Sequence, residues 1–159
     1  MNKYFPLHVH SHFSLLDGLS KPIHITNRLT ELELPGTAVT DHGTLSGSIQ
    51  MLKACKTSKH QLILGCELYI SEHDANIRNE NNRKHTHMLV LAKNDAGWRD
   101  LVKLTSEANS PDNFYYKPRI SIDQLKPYLA EDNLIIFGGH WGSTIADMVM
   151  GENGVIDIE

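Results

Sequence analysis

The chain has 159 residues, 40% of them hydrophobic and 21% charged, which is typical of a globular protein large enough to bury a core of its own. Its formal net charge of −4 argues against a domain that binds duplex DNA through phosphate contacts alone, unless metal ions supply positive charge locally. The two cysteines indicate no disulfide framework and favour a reducing, cytoplasmic setting, and no apolar stretch has the length of a membrane span.

Apolar periodicity divides the chain into alternating strand and helix patterns. We predict strands over residues 5–10, 37–40, 61–64 with an extension at 68–70, 88–92 and 134–137. We predict helices that begin near Pro22, at Ser46 or Ser48, at Asn94 or Asp95, at Ser121 and at residue 143, the last of them ending at Gly151. In the second helix, the apolar stripe consists of Ile49, Leu52 and Cys55.

Strands that alternate with helices argue for βα units and a parallel sheet. The run at 88–92 is continuously apolar, as in a buried parallel strand. Residues 72–84 are polar, and we predict a mobile loop or an exposed excursion there. About five units are fewer than a closed eight-stranded barrel requires, so we expect an α/β fold in the form of an incomplete barrel. No repeat or linker divides the chain, which predicts a single domain over residues 1–159.

Metal-type side chains lie at the ends of several predicted strands. His8 and His10 alternate along the opening strand and therefore share one of its faces. Further residues of this kind at strand ends are Asp41, His42, Glu67 and His140. Because the carboxyl ends of parallel strands meet at one rim, these segments should converge. His87 is the exception, because it begins its strand.

The ordinary interpretation of an isolated His-x-His pair is two solvent-facing histidines, and it is the repetition along the chain that favours a metal site. Imidazole nitrogens with carboxylate oxygens suit zinc, manganese or iron better than magnesium. A carboxylate such as Glu67 can bridge two ions, and paired ions hydrolyse phosphate esters without a side-chain nucleophile. The sequence has no Gly-x-Ser-x-Gly elbow, no phosphate-binding Gly-rich loop and no dinucleotide fingerprint. We expect Asp41 to orient a histidine rather than to bind metal.

Five segments of the sequence carry a family resemblance: LHVHSHFSLLDGLSK, TDHGTLSG, LGCELYI, HMLVLAKN and YYKPRI. Together they resemble the polymerase and histidinol phosphatase (PHP) family, and more closely its polymerase branch, the PHP domain at the N-terminus of bacterial DNA polymerase III alpha subunits. The last two are similar to the polymerase branch in particular. The resemblance implies a distorted, incomplete TIM-like (β/α) barrel of the PHP type, truncated before its last strands.

The resemblance also implies up to three divalent metal ions, zinc, manganese or iron, in one cleft. By motif, the first ion is bound by His8, His10 and Glu67, the second by Glu67, His87 and His140, and the third by Asp17 and His42. The residues expected to take part in catalysis are His8, His10, Glu67 and His140. Lys117 and Arg119 are candidates for contact with a substrate phosphate.

This sequence departs from the family pattern at one point. The pattern ends with an Asp-x-His pair on a late strand, and no such pair occurs here. Three explanations are open: a fragment of a longer protein, a naturally shortened homologue, or a half that a partner completes. The C-terminal part of the family domain and the polymerase regions are absent, so we expect no polymerase activity from these residues.

Three functions are compatible with these features. The first is a metal-dependent phosphoesterase, most concretely a 3′–5′ exonuclease that proofreads DNA ends. The second is a catalytically inactive, metal-stabilised module that supports or docks to the remaining polymerase. The third is a small-molecule phosphatase. The expected partners are a DNA 3′ end or another phosphodiester substrate, and the remaining polymerase subunit or domains, with no membrane.

Overall fold

The computed structural model describes residues 4–138 and 142–150, in which five strands and five α-helices form an α/β fold. The strands are β1 (Gly36–Val39), β2 (Gln61–Ser71), β3 (His85–Ala92), β4 (Arg119–Ser121) and β5 (Leu134–Phe137). The helices are α1 (Pro22–Glu31), α2 (Ser48–Ser58), α3 (Asp95–Ala108), α4 (Ile122–Leu129) and α5 (Thr144–Met150). No helix in the described ranges has the length and apolar character needed to cross a bilayer.

Strand β2 is the centre of the sheet and changes its neighbour along one edge. Its first four residues pair with β1 in parallel, and its last three pair with β4, also in parallel. Along the other edge, β2 pairs with β3 in antiparallel orientation, and β3 pairs in the same way with β5. The sheet is therefore mixed.

The parallel direction predicted for the strand at 88–92 is wrong. The segment between β2 and β3 contains only a short 3₁₀ turn, Glu80–Asn82, and no crossover helix. A connection without a crossover helix favours a return beside β2 in the opposite direction. As a result, the first residues of β3 lie beside the last residues of β2, with Tyr69 opposite His87.

The predicted opening strand is extended but has no regular strand ladder. The carbonyls of Pro6 and Val9 accept hydrogen bonds from the backbone N–H groups of Ala38 and Thr40, at 2.8 and 2.9 Å. Proline has no N–H to return, and the N–H of Val9 donates to the hydroxyl of Thr40 at 3.0 Å instead of to a backbone carbonyl. The segment nevertheless follows the edge of β1, and this position brings His8 and His10 to the site.

The two faces of β2 and β3 have different roles. Side chains on one face form the main core, which consists of Cys66, Leu68, Ile70, Met88, Val90, Leu101, Leu104, Ala108, Ile120, Leu125 and Leu134. The alternate residues, Glu67 and Tyr69 on β2 and His87 on β3, lie on the opposite face. The strand alternation therefore separates apolar packing from the polar cluster.

Local sequence signals are confirmed at α3 and α4, but not at α2. The side chain of Asn94 accepts from the N–H of Gly97 at 2.9 Å, and Ser121 forms a capping box with Gln124. Helix α2 begins after Gly47 without a side-chain cap.

The apolar stripe predicted for α2 is wrong for two of its three members. Ile49 and Leu52 are exposed, while Met51 and Cys55 are buried beside Val39. The helix contains apolar residues on two faces, so spacing alone does not select the face that packs on β1 and β2.

Two buried polar side chains hold the segment 72–84, which we predicted to be a mobile loop or an exposed excursion. Asn82 is 0% exposed; its side chain accepts from the N–H of His73 at 3.0 Å and donates to the carbonyls of Asp74 and Ile77 at 2.8 and 3.0 Å. The guanidinium of Arg119, also 0% exposed, donates to backbone carbonyls of the same segment, including that of Asn82. The surface of the loop is exposed, but its base is fixed by polar contacts that apolar patterning does not detect.

We expect Asn82→Ala to lower the free energy of unfolding by about 2–3 kcal/mol, because it leaves buried backbone groups without partners. Asn81→Ala is the matched control, since Asn81 is exposed, and its effect should stay within about 0.5 kcal/mol. Urea denaturation of both variants measures the difference. Equal stabilities would show that Asn82 does not hold the loop.

Candidate metal centre

Glu67 lies on β2 between the part paired with β1 and the part paired with β4. Its N–H donates to the carbonyl of Asp41 at 3.1 Å, and its carbonyl accepts from the N–H of Gly43 at 2.9 Å. These bonds form an isolated parallel bridge between His42 and Glu67. The turn that follows β1 is thus held against the centre of β2, and the two metal-type side chains become neighbours.

The first cluster consists of His8, His10 and Glu67. Oxygen Oε2 of Glu67 lies 2.6 Å from Nε2 of His8 and 2.8 Å from Nε2 of His10, and the two imidazole nitrogens are 2.9 Å apart. The Glu67 side chain is only 3% exposed. Three ligand-type atoms from two distant segments therefore converge on one point.

Asp17 and His42 extend the cluster to a second group that includes His10. Nε2 of His42 lies 2.9 Å from Oδ2 of Asp17, and Nδ1 of His10 lies 3.8 Å from the same oxygen. The rings of His10 and His42 are stacked with centroids 4.2 Å apart.

A third group joins His42 and Glu67 to His87, and in each of the three groups the ligand-type atoms lie within 4.8 Å of one another. Nδ1 of His42 is buried without a hydrogen-bond partner and lies 3.8 Å from Oε2 of Glu67. A buried nitrogen that faces a carboxylate without a hydrogen bond fits a cation between them. The donor set of imidazoles and carboxylates suits zinc, manganese or iron.

The structure brings together six of the seven predicted metal ligands, and the seventh, His140, lies outside the described residues. The groups overlap more than the motif assignment implies. His10 belongs to the groups of Glu67 and of Asp17, and His42 belongs to the groups of Asp17 and of His87. His87 reaches the site because β3 is antiparallel, so its amino end lies at the rim where β1 ends.

Ser14 is a site residue that the sequence analysis missed. Its hydroxyl donates to Oδ1 of Asp41 at 2.7 Å, and its oxygen lies 3.0 Å from Nδ1 of His10. Because the only hydroxyl proton of Ser14 is donated to Asp41, its oxygen accepts a hydrogen bond from the Nδ1–H group of His10. In neutral His10 the lone pair is then on Nε2, the nitrogen that faces Glu67. Asp41 therefore orients His10 indirectly, through the hydroxyl of Ser14. The four-residue spacing between His10 and Ser14 does not reveal this contact in the sequence.

Burial and hydrogen bonding oppose each other at Glu67 and His10. Burial would raise the pKa of Glu67, but hydrogen bonds from His10 and His8 outweigh it and hold that pKa well below its ordinary value of 4.5. Burial would lower the pKa of His10, but the bond to Glu67 and the charge of that carboxylate raise it above 6.5. The pKa of His87 is lowered, mainly by burial, so this imidazole is neutral and available as a ligand at pH 7.

Tyr69 packs beside the histidines, and the ammonium group of Lys117 lies over its ring. Its ring lies 5.6 Å from that of His42 and 5.1 Å from that of His87, and Nζ of Lys117 lies 5.2 Å above it. Lys117 therefore stands at the edge of the cluster. Arg119 has a different position from the one we predicted, because its buried guanidinium is engaged by the carbonyls of the 72–84 segment.

Comparison with known proteins defines the class. The profile of the PHP domain family matches residues 6–155. The chain therefore belongs to the PHP domain family.

Within that class, the chain is similar to curated proteins named DNA polymerase III subunit alpha. The chain is 37% identical over 150 residues to the DNA polymerase III subunit alpha of Chlamydia pneumoniae, which covers 92% of this chain and 12% of the relative. It is 39% identical over 127 residues to the same subunit of Treponema pallidum, with 79% of this chain and 11% of the relative covered. The chain thus spans about an eighth or less of the length of these curated relatives. A Bifidobacterium adolescentis structure assigned as a metal-dependent phosphoesterase aligns with a TM-score of 0.44 at 21% identity, over 96% of this chain and 46% of that one.

Removal of the Ser14 hydroxyl should change the protonation pattern of His10. In metal-free Ser14→Ala above the pKa of His10, we expect neutral His10 to move its proton from Nδ1 to Nε2, where Glu67 accepts it. Long-range ¹H–¹⁵N NMR of the imidazole measures the tautomer, and metal affinity should fall by about 10–100-fold. Ser11→Ala is the control, since Ser11 also donates to Asp41, and it should keep the wild-type tautomer. An unchanged tautomer in Ser14→Ala would contradict this assignment.

The pair of Glu67 and His10 should produce a pH window of stability in the metal-free protein. The lowered pKa of Glu67 stabilises the fold above pH 4.5, and this contribution fades as pH falls. The raised pKa of His10 stabilises the fold below pH 6.5, and this contribution is lost as pH rises through that raised value. We therefore expect wild type to exceed Glu67→Gln by about 2 kcal/mol between pH 4.5 and 6.5, and by less on either side. Urea denaturation in chelator measures the difference, and a flat profile would exclude the pairing.

Proposed function

We propose that this chain is the metal-dependent phosphoesterase domain of a DNA polymerase III alpha-like protein and that it acts as a 3′–5′ exonuclease on DNA ends. The observation that carries the proposal is the overlap of three ligand groups, two of which share the buried carboxylate of Glu67. Overlapping groups hold ions close to one another, as two-metal phosphoesterase chemistry requires. A structural metal site needs only one closed set of ligands.

The proposed metal ligands are those of the three groups together with His140. Bound divalent ions would neutralise phosphate oxygens and lower the pKa of a coordinated water. The protein residues supply the rest: Ser14 and Asp41 orient His10, Tyr69 packs against His42 and His87, and Lys117 offers a cation to a substrate phosphate. The proposed site needs no serine or cysteine nucleophile. Cys66 supports this view, because burial raises the pKa of its thiol to about 12.

DNA is the proposed substrate because the relatives are DNA polymerase subunits. A proofreading exonuclease in the cytoplasm, beside the remaining polymerase, agrees with that relationship. The second candidate is an inactive, metal-stabilised docking module. A single ligand set, such as His8, His10 and Glu67, would be enough to hold a structural metal ion in such a module.

The test combines metal content with hydrolysis. Purified protein should contain zinc, manganese or iron, and with added manganese it should shorten a 5′-labelled single-stranded oligonucleotide from its 3′ end. Glu67→Gln should lower metal affinity by about tenfold or more and reduce cleavage further than Asp17→Asn, because Glu67 belongs to two groups and Asp17 to one. His87→Ala and His140→Ala should also lose metal. Glu72→Gln, which changes an exposed carboxylate directly after β2, should behave as wild type.

Each alternative has its own outcome. Bound metal with hydrolysis of p-nitrophenyl phosphate but not of DNA would indicate a small-molecule phosphatase. Bound metal without hydrolysis of either compound would indicate the docking module. Equal metal loss in Glu67→Gln and Asp17→Asn would contradict the bridging role of Glu67.

A further inference from the structure

The segment 114–118 carries an exposed tyrosine in a costly backbone conformation. Tyr116 has φ +60 and is 63% exposed, at the tip of a tight turn in which the N–H of Tyr115 donates to the carbonyl of Lys117 at 3.1 Å. A positive φ is unfavourable for a bulky side chain, and such residues persist where the surrounding structure holds them. Burial does not explain this ring.

A cation covers one part of the Tyr116 ring. The guanidinium carbon of Arg83 lies 4.6 Å from the ring centroid, and the ring of Tyr115 lies 4.7 Å away at 72°. Arg83 also lies 3.6 Å from Glu80, but both side chains are more than half exposed, so this pair is weak. An exposed aromatic ring beside an exposed guanidinium is the combination on which bases of a single strand stack.

The turn is anchored on the metal centre. A Cβ at Gly43 would lie 2.5 Å from Cγ of Pro118, so the segment packs directly on the turn that presents His42. The next side chain, Lys117, lies over Tyr69, whose ring touches His42 and His87. Lys117, the neighbour of Tyr116 in the chain, therefore links this turn to the ring that packs on His42 and His87.

Arg119, which directly follows this segment in the chain, holds the loop at residues 72–84. Its buried guanidinium fastens the carbonyls of residues 75, 77 and 82, and so fixes the loop that carries Arg83. Arg83 and Tyr116 are thus presented by two segments that one buried side chain connects.

We propose that Tyr116, Arg83 and Lys117 form a docking ledge for single-stranded DNA that directs a 3′ end to the metal centre. A base stacks on Tyr116, Arg83 contacts the flanking phosphate, and Lys117 contacts the phosphate nearest the ligands. The ledge deepens the proposed exonuclease function by defining the form of its substrate, a single strand rather than a duplex.

The test measures binding without catalysis. Fluorescence anisotropy with a labelled oligothymidine, in chelator, reports the dissociation constant for the whole chain. Tyr116→Gly should weaken binding by about tenfold, and Tyr116→Phe should restore it, because stacking needs the ring and not the hydroxyl. Glycine accepts the positive φ, so the melting temperature of Tyr116→Gly should not fall, which separates lost binding from lost folding.

The cations have their own readout. Lys117→Ala and Arg83→Ala should each weaken binding and reduce the slope of log affinity against log salt by about 0.7. Lys53→Ala, which removes an exposed cation of α2, should change neither. Glu67→Gln should still bind the oligonucleotide. The binding test therefore remains interpretable even if the protein shows no nuclease activity. No binding by wild type, or equal binding by Tyr116→Gly and Tyr116→Phe, would overturn the ledge and leave a protein partner as the occupant of this surface.

Discussion

The structure depends on the buried carboxylate of Glu67. A carboxylate removed from water needs compensating donors or cations. Here His8 and His10 of the N-terminal segment both contact one oxygen of Glu67. This demand explains the local architecture. The strand β2 exchanges β1 for β4 on the edge where Glu67 lies, and between those neighbours the turn after β1 bridges to Glu67. This turn places His42 beside the carboxylate.

Two further polar hubs hold the surroundings of that carboxylate. Asp41 accepts from Ser11 and Ser14 and thereby ties the N-terminal segment to the end of β1. Arg119 performs the same task on the opposite side, where it ties the 72–84 segment to β4. Both hubs satisfy backbone or hydroxyl groups that have no place in a regular ladder. The irregular segments around the site are therefore held by buried hydrogen bonds rather than by apolar packing.

The mixed sheet changes how the site is assembled, although its ligands resemble those of a parallel barrel rim. His42 follows β1, Glu67 lies within β2, and His87 begins β3. In an all-parallel sheet the last of these would be at the wrong end. The antiparallel return places it opposite Tyr69, on the same face as Glu67. The chain belongs to the PHP family and is similar to polymerase subunits. The antiparallel direction of β3 explains how His87 joins the cluster of metal-type residues in this chain.

The sequence by itself determined the capping of α3 and α4 and the shared face of His8 and His10, and it identified the metal-type residues that the described structure brings together. Tertiary structure decided the direction of β3, the buried face of α2, the burial of Arg119, and the overlap of the ligand groups through His10 and His42. The reason is the range of the interactions. Capping and alternation depend on neighbours within about four residues, so one sequence window contains them. Strand direction, burial of a cation and shared ligands depend on contacts between distant segments, which no local pattern specifies.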